Sequence, residues 1–333
     1  MSSAAHPRSD GKHRHHVTTH QGRLGASGGY PAPVKNAAAG DIRVGVGGWT
    51  YEPWRRNFYP TGLVHERELE YASRRFTAIE INGTYYRLQT PASFAKWREA
   101  TPSDFVFSVK ASRYTTNRRV LGEAGESIEK FFASGMAELG SKLGPIVWQF
   151  ATTKRFEPDD FAAFLKLLPD SLAGLPLRHV IEVRHDSFAC PAYLSLARQH
   201  RVATVFADSD EYPSFGDLTS NFVYARLMKC EADRPNGYGD EQITAWAAAA
   251  ERWSRGGEPT GLRTLEDRPA LAQPRDVFVF FISGAKERAP AAAMATLAAL
   301  GRTPLSDAPT VERGPVARPR TAQTPVVKKP RSA

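Results

Sequence analysis

Residues 179–208 read HVIEVRHDSFACPAYLSLARQHRVATVFAD, and this stretch indicates the fold. Its two ends, residues 179–184 and 203–208, are short apolar runs typical of strands that are covered on both faces. Residues 191–200 between them have helical spacing, with proline in the first turn, where a missing N–H costs nothing. A strand, a helix and a strand in this order predict one parallel βαβ unit.

The same alternation continues on both sides of this unit. Eight strands are predicted in all, at residues 42–47, 77–82, 105–110, 146–150, 179–184, 203–208, 222–227 and 277–282. Helices are predicted between most of them, at residues 65–75, 91–100, 127–143, 158–168, 191–200, 240–255 and 289–300. This pattern predicts an α/β fold, a single TIM-like (βα)8 barrel over residues 42–302, with a surface insertion at residues 256–274.

Both ends of the chain lack hydrophobic periodicity. Residues 1–41 are rich in Ser, Gly, Ala, His and basic residues, and residues 303–333 place six prolines among basic residues. Because such segments bury too little apolar surface to offset the entropy of ordering, both are predicted to be disordered tails. Five histidines cluster in the first of these segments: His6, His13, His15, His16 and His20. We interpret them as part of a solvated tail, and a weak metal-binding tract is the alternative.

The formal net charge of +9 is concentrated in these two tails. Residues 1–41 carry five Lys/Arg and two Asp, and residues 301–333 carry seven Lys/Arg and two acidic residues, which leaves the region between nearly neutral. A nucleic-acid-binding domain is expected to carry a basic surface on its folded part. The sequence therefore allows nucleic acid as a partner through the basic tails only.

The cysteine content and the hydrophobic pattern favour a cytoplasmic protein with no membrane contact. Cys190 and Cys230 form neither a metal-ligand spacing nor a disulfide framework, as expected in a reducing compartment. No apolar run approaches the roughly 18 residues that span a bilayer, and no hydrophobic segment follows the N-terminal charges. Because the sequence has neither a P-loop nor a complete GxGxxG motif after a strand, no cofactor is predicted.

Polar and aromatic residues stand at the C-terminal ends of seven predicted strands. Active sites of (βα)8 barrels lie on that face, and charged side chains are seldom buried without partners, so the convergence predicts a small-molecule pocket. The predicted catalytic residues are Glu80, Glu182, His185 and Asp208. The predicted substrate-binding residues are Trp49, Tyr51, Asn82, Tyr85, Lys110, Trp148, Gln149, Arg184 and Arg226.

Structural alternatives stay open for most of these residues. The two glutamates can serve as acids that bridge the three cations inside the barrel mouth, and the two tryptophans can pack at the rim. Asp208 can cap a loop turn, and His185 can be a hydrogen-bonded structural histidine.

Five stretches of residues 42–300 together resemble the bacterial YecE-like family, the domain of unknown function 72. They are VGVGGWTYEPWRRNFYP (44–60), FTAIEINGTYYRLQTPASFAKWREATP (76–102), FVFSVK (105–110), LGPIVWQF (143–150) and IEVRH (181–185). The resemblance implies a TIM-like barrel but no particular reaction. It places three further aromatic residues among the matching positions, Trp54, Tyr59 and Tyr86, beside all the predicted site residues except Trp148.

The chain departs from that family pattern at three points. The eighth strand ends in Phe281, Ile282, Ser283 and Gly284, where the family usually has an Asn-rich segment, so this part of the rim is expected to lose polar groups. Residues 151–153, Ala-Thr-Thr, replace a proline-rich turn, and residues 256–274 are longer than expected.

Three functions are compatible with this pattern. The first is an enzyme of the hydrolase, lyase or isomerase class that acts by acid–base chemistry on a small anionic or polyhydroxylated substrate. The second is a metal-dependent phosphodiester hydrolase with a divalent cation held by the four predicted catalytic residues. The third is a module that binds nucleic acid or protein through its basic tails, with the barrel as a scaffold.

Overall fold

A computed structural model describes residues 38–302 of the chain. Nearly all of the first predicted tail, with its clustered histidines, and the whole of the second lie outside these residues. The structure therefore does not test the nucleic-acid binding predicted for the tails. Eight parallel strands form a closed barrel in which each strand pairs with its neighbours in sequence and the last pairs with the first. The predicted (βα)8 barrel is confirmed.

The barrel strands lie within a few residues of their predicted positions. We number them β1 (Ile42–Gly47), β2 (Ala78–Ile81), β3 (Val106–Lys110), β4 (Leu143–Gln149), β5 (His179–Glu182), β6 (Ala203–Asp208), β7 (Phe222–Leu227) and β8 (Asp276–Phe281). A separate two-stranded hairpin pairs Ser171–Leu172 with Leu175–Pro176 before β5.

The α-helices surround the barrel. They are α1 (Glu68–Ser73), α2 (Gly83–Tyr86), α3 (Pro91–Glu99), α4 (Arg113–Thr116), α5 (Gly125–Phe132), α6 (Pro158–Lys166), α7 (Pro191–Gln199), α8 (Asp240–Ser254) and α9 (Ala289–Ala299). Short 3-10 helices lie at Glu52–Arg56, His65–Arg67, Leu121–Glu123, Met136–Lys142, Asp186–Phe188 and Lys286–Arg288. None of the helices in residues 38–302 is long and apolar enough to cross a membrane.

The helix predicted at residues 127–143 is interrupted. Helix α5 ends at Phe132, a 3-10 segment follows, and β4 already begins at Leu143. Gly135 has φ 103°, a left-handed conformation that glycine adopts without strain, and it ends the helical path. A Cβ atom at this position would lie 2.6 Å from Cα of Pro91, so the close approach of α3 also requires glycine.

Alternation along the strands separates two apolar cores. Outward-facing residues pack against the helices, as Phe206 does against Trp246 and Trp253 of α8. Inward-facing residues form a second cluster that fills the barrel, and Val180 and Phe278 belong to it. Because the direction of a side chain reverses at each residue, a strand end delivers one of its last two residues to the barrel mouth and the other to the helical layer.

Candidate functional site

Five polar residues continue the inward-facing rows of the barrel core to the C-terminal ends of the strands. Each lies an even number of residues from an inward-facing residue on its own strand, and each is at most 8% exposed. They are Glu80 on β2, Lys110 on β3, Gln149 on β4, Glu182 on β5 and Arg226 on β7. The structure therefore brings together five of the predicted site residues in the barrel mouth.

Arg226 connects two buried carboxylates in this cluster. Its Nη2 donates to Oε1 of Glu80 at 3.0 Å, and its Nη1 lies 2.5 Å from Oε1 of Glu182. The same oxygen of Glu182 accepts from Arg184, whose Nη2 is 3.0 Å away. Burial lowers the pKa of Arg226, but the charges of Glu182 and Glu80 outweigh burial and raise it, so the guanidinium stays charged.

Two interior residues that the sequence analysis missed complete the network. The hydroxyl of Tyr224, on β7, donates to Oε2 of Glu80 at 2.8 Å, and Oγ of Ser108, on β3, lies 2.7 Å from the same hydroxyl. Tyr224 precedes Arg226 by two residues, and Ser108 precedes Lys110 by two, so strand alternation alone places both in the interior.

Several buried polar atoms of the cluster have no hydrogen-bond partner within the described part of the chain. They are Oε1 of Gln149, Oε2 of Glu182, and Nε and Nη1 of Arg226, of which Nη1 forms only the ion pair with Glu182. Gln149 and Glu182 are paired residues of adjacent strands, so their unsatisfied oxygens belong to one region of the mouth. Buried polar groups in native proteins are rarely left unpaired, and each such group calls for an explanation.

Of the two residues in the cluster with an unpaired oxygen, Glu182 is the one that carries a charge. Burial raises the pKa of this carboxyl, but the positive charges of Arg226, Arg184 and Lys110 outweigh burial and hold the pKa below its usual value. Glu182 is therefore a carboxylate at neutral pH and can accept a proton there.

Lys110 is a buried cation without a polar partner. Its side chain is 8% exposed, its Nζ lies 4.4 Å from the ring centroid of Tyr85, and it makes no hydrogen bond or ion pair with any described residue. Burial and the neighbouring charge of Arg226 lower its pKa to about 8, against the opposing effect of Glu80 and Glu182.

The rim above the cluster holds further cationic and aromatic groups. Arg184 lies over the ring of Tyr212 at 4.3 Å, and Lys286 lies over the ring of Tyr51 at 4.6 Å. Burial lowers the pKa of Lys286, and the negative charge of Glu80 opposes this effect only in part. Beyond the altered end of the eighth strand, Lys286 supplies a charge at the rim, and the expected loss of polar groups from Phe281–Gly284 stays a prediction.

Two predicted site residues face the helical layer instead of the mouth. Trp148 is fully buried against Phe131 and Phe164, and its Nε1 donates to Nδ1 of His179 at 3.1 Å. Asp208 accepts from the hydroxyl of Tyr238 at 3.1 Å, and Lys229 is 3.6 Å away. The prediction that they line the pocket is wrong. Each directly neighbours an inward-facing residue, Gln149 for Trp148 and Ala207 for Asp208, so its own side chain points outward.

The other predicted residues lie at the rim with partners of their own. Nδ1 of His185 accepts from the backbone N–H of Ser187 at 3.1 Å and caps a 3-10 helix, which matches the structural alternative. Trp49 packs edge-on against Trp97 with ring centroids 5.2 Å apart. The amide of Asn82 donates to the carbonyl of Glu80 at 3.4 Å.

The four residues considered as metal ligands do not converge. Glu80 and Glu182 share Arg226, whereas His185 and Asp208 bond to Ser187 and Tyr238 in other places. Across residues 38–302, no three His, Cys, Asp or Glu side chains come together in an arrangement that could hold a metal ion.

The family model described as protein of unknown function DUF72 matches residues 43–314. This chain belongs to the DUF72 family. The resemblance seen in the five sequence stretches is thereby confirmed.

Relatives within the DUF72 family are distant in sequence. UPF0759 protein YecE of Escherichia coli K12 is 30% identical over 147 residues, which cover 44% of this chain and 50% of that protein. UPF0759 protein YunF of Bacillus subtilis 168 is 24% identical over 157 residues, 46% of this chain and 54% of that protein. The match therefore spans about half the length of these curated relatives.

A solved structure of a DUF72 family protein from Thermotoga maritima has the same fold. It is 21% identical, superposes with a TM-score of 0.59, and the match covers 79% of this chain and all of that one. This likeness supports the barrel architecture.

Proposed function

We propose that the barrel mouth binds a small anion and catalyses a proton transfer on it. The unpaired buried atoms of the mouth carry this proposal. Nε of Arg226 would donate to an anionic oxygen, whereas Oε1 of Gln149 and Oε2 of Glu182 would accept from an O–H group of the same molecule. They extend from three strands into one region at the end of the barrel where enzymes of this fold have their active sites.

Charge favours an anion as the ligand. The residues in or over the mouth are four cations, Lys110, Arg184, Arg226 and Lys286, and two carboxylates, Glu80 and Glu182. One or two negative charges on a ligand would therefore balance the charge of the site. A sugar would instead be expected to stack on aromatic faces. Of the four aromatic residues predicted to bind substrate, Trp148 faces the helices and Trp49 packs on Trp97. The other two, Tyr51 and Tyr85, lie under Lys286 and Lys110.

The two carboxylates have different surroundings, which supports different roles. Both oxygens of Glu80 are occupied, Oε1 by Arg226 and Oε2 by Tyr224, so Glu80 would orient the guanidinium. Glu182 keeps Oε2 unpaired, and the surrounding cations keep it ionised, so Glu182 would accept the proton. A hydrolase, a lyase or an isomerase can use such a base.

Binding can be tested by thermal unfolding of the full chain at low ionic strength. Phosphate, citrate and glyoxylate would be compared with the neutral polyols glycerol, xylitol and glucose. A ligand at about 100 times its dissociation constant should stabilise the fold by about 2.7 kcal/mol. The Arg184→Met variant should lose the shift, whereas the Arg56→Met variant, which changes an exposed ion pair with Glu52, should keep it.

Turnover can then be followed by NMR with the best anion as substrate. The Glu182→Gln variant should bind this anion yet leave it unconverted, because the amide cannot accept the proton. A response to polyols alone, or equal conversion by the wild type and Glu182→Gln, would contradict the proposal.

A further inference from the structure

We infer that Lys110 is a nucleophile that forms an imine with the carbonyl carbon of a small oxo acid. This inference rests on the proposed function, because it names the class of anion that the mouth would bind. Lys110 ends β3, faces the interior and lies beside the buried carboxylates and Arg226. An amine in that place can reach a molecule held by the unpaired atoms of the mouth.

One other buried lysine, Lys142, and the half-buried Lys154 show what a structural role requires. Nζ of Lys142 donates to the carbonyl of Thr101 at 2.7 Å and to its Oγ1 at 3.0 Å. Nζ of Lys154 donates to Oδ2 of Asp160 at 2.9 Å and to the carbonyl of Arg119 at 2.8 Å. Lys110 is as buried as Lys142, yet within residues 38–302 its Nζ makes no hydrogen bond or ion pair and lies only over the ring of Tyr85.

The surroundings of Lys110 also provide the uncharged amine that nucleophilic attack requires. Burial and Arg226 lower its pKa to about 8, Arg184 acts in the same direction, and Glu80 and Glu182 oppose them. At pH 7 about a tenth of such an amine is neutral, a far larger fraction than for an ordinary lysine. Lysines activated by burial and by a neighbouring cation are the ones that form Schiff bases.

The reaction balances without an oxidant or a reductant. The lone pair of Nζ attacks the carbonyl carbon, and the π electrons of the C=O bond move to oxygen. One proton passes from the nitrogen to this oxygen to give a neutral carbinolamine. The nitrogen then gives up its second proton, the C–O bond breaks as the hydroxyl group takes up a proton and leaves as water, and a C=N bond to Lys110 remains. Once protonated, this imine withdraws electrons from the adjacent carbon.

The rest of the mouth fits an oxo acid. Arg184 and Lys286 would hold its carboxylate at the rim. Oε2 of Glu182 would remove a proton from the carbon next to the imine, so the reaction class would be a lyase or an isomerase.

Reductive trapping with glyoxylate tests this assignment. Full-length protein is incubated with glyoxylate and sodium cyanoborohydride at pH 7, which converts an imine into a carboxymethyl group on the amine. Peptide mass spectrometry then compares Lys110 with the exposed Lys130. We expect at least about tenfold more modification at Lys110, because its lower pKa leaves more neutral amine. The rate should rise with pH and level off above about 8.

Acetaldehyde, which has the same carbonyl group but no charge, is the matched probe. It should modify Lys110 at least about tenfold less than glyoxylate, because the cations of the mouth cannot hold it. The Lys110→Arg variant keeps the charge and should leave only surface modification, whereas Lys130→Arg should behave like the wild type.

Two results would overturn the inference and leave the proposed function intact. One is anion binding that depends on Arg184 with no modification of Lys110 above that of Lys130. The other is modification of Lys286 in place of Lys110. Equal modification by acetaldehyde would overturn the oxo-acid class. Absence of any anion-dependent stabilisation would instead overturn the proposed function, so the two failures can be told apart.

Discussion

Nη1 of Arg226 lies 2.5 Å from Oε1 of Glu182, at a position where neither side chain is more than 1% exposed. Glu80, on the other side of the guanidinium, is also fully buried. Removing three charges from water costs much free energy, which their mutual attraction returns only while all three remain. The fold therefore depends most on the guanidinium of Arg226, which is the shared partner of both carboxylates.

Replacement of Arg226 by methionine should destabilise the fold strongly. Methionine fills a similar volume but leaves Glu80 and Glu182 buried with no common partner, and breaking a buried ion pair in this way costs about 3–5 kcal/mol. Urea unfolding at pH 7 measures the loss. As a control, Arg255→Met removes an exposed pair with Glu251 and should cost less than about 1 kcal/mol. Similar losses in the two variants would contradict a buried network.

The hydroxyl of Tyr224 should contribute measurably to stability. Tyr224→Phe keeps the ring but leaves Oε2 of Glu80 and Oγ of Ser108 without this partner inside the barrel. An unsatisfied buried polar group costs about 1–3 kcal/mol, which the same unfolding experiment detects. Tyr86→Phe removes a hydroxyl from a side chain that is 65% exposed and should change stability by less than about 0.5 kcal/mol. Equal effects would show that the Tyr224 contacts do not hold in solution.

Much of the site could be predicted from the sequence because it follows from strand order. Parallel strands end on one face, and this rule alone brought Glu80, Lys110 and Glu182 together. The rule does not say which of two adjacent residues faces inward. Trp148 and Gln149 are neighbours, and only their register with the inward-facing Val147 separates core from mouth.

Two rim residues far from the strand ends, Lys286 and Tyr212, could not be predicted, because no periodicity governs their loops. Lys286 reaches the rim from a 3-10 helix after β8. Nε1 of Trp54 donates to the backbone carbonyl of Lys286 at 2.9 Å and holds this segment in place. Tyr212 contacts Arg184 from the long connection between β6 and β7. Such contacts join parts of the chain that are distant in sequence, so they depend on the complete fold.

The corrected orientation of Asp208 can be tested against that of Gln149. Asp208→Asn keeps an acceptor for Tyr238 and changes nothing that faces the mouth, so anion affinity should stay within about twofold of wild type, the effect expected when no ligand hydrogen bond is lost. Gln149→Leu removes an unpaired oxygen of the mouth. If Gln149 bonds to the ligand, the loss of about 1 kcal/mol should weaken binding about fivefold. Calorimetry with the best anion measures both, and the reverse order of effects would restore Asp208 to the site.

Lys110 should reduce stability at neutral pH, so Lys110→Met should raise the free energy of unfolding. The pKa of Lys110 falls from 10.5 to about 8 on folding, so the charged form is disfavoured in the barrel. Each unit corresponds to 1.36 kcal/mol, so a fall of about 2.5 units gives a gain of about 3 kcal/mol for the variant at pH 7. Such an increase in stability with loss of the proposed nucleophile is common at functional sites.

The pH dependence of this gain distinguishes charge from packing. Between pH 8 and pH 10.5 the folded protein holds fewer protons at Lys110 than the unfolded chain, so the stability of the wild type rises with pH relative to Lys110→Met. The advantage of the variant should therefore be complete below pH 8 and fall below about 1 kcal/mol at pH 10. Denaturant unfolding of both proteins at pH 7 and pH 10 measures it, with Lys130→Met as the surface control. A difference that stays constant with pH would mean that methionine only packs better, and that burial does not disfavour the charge of Lys110.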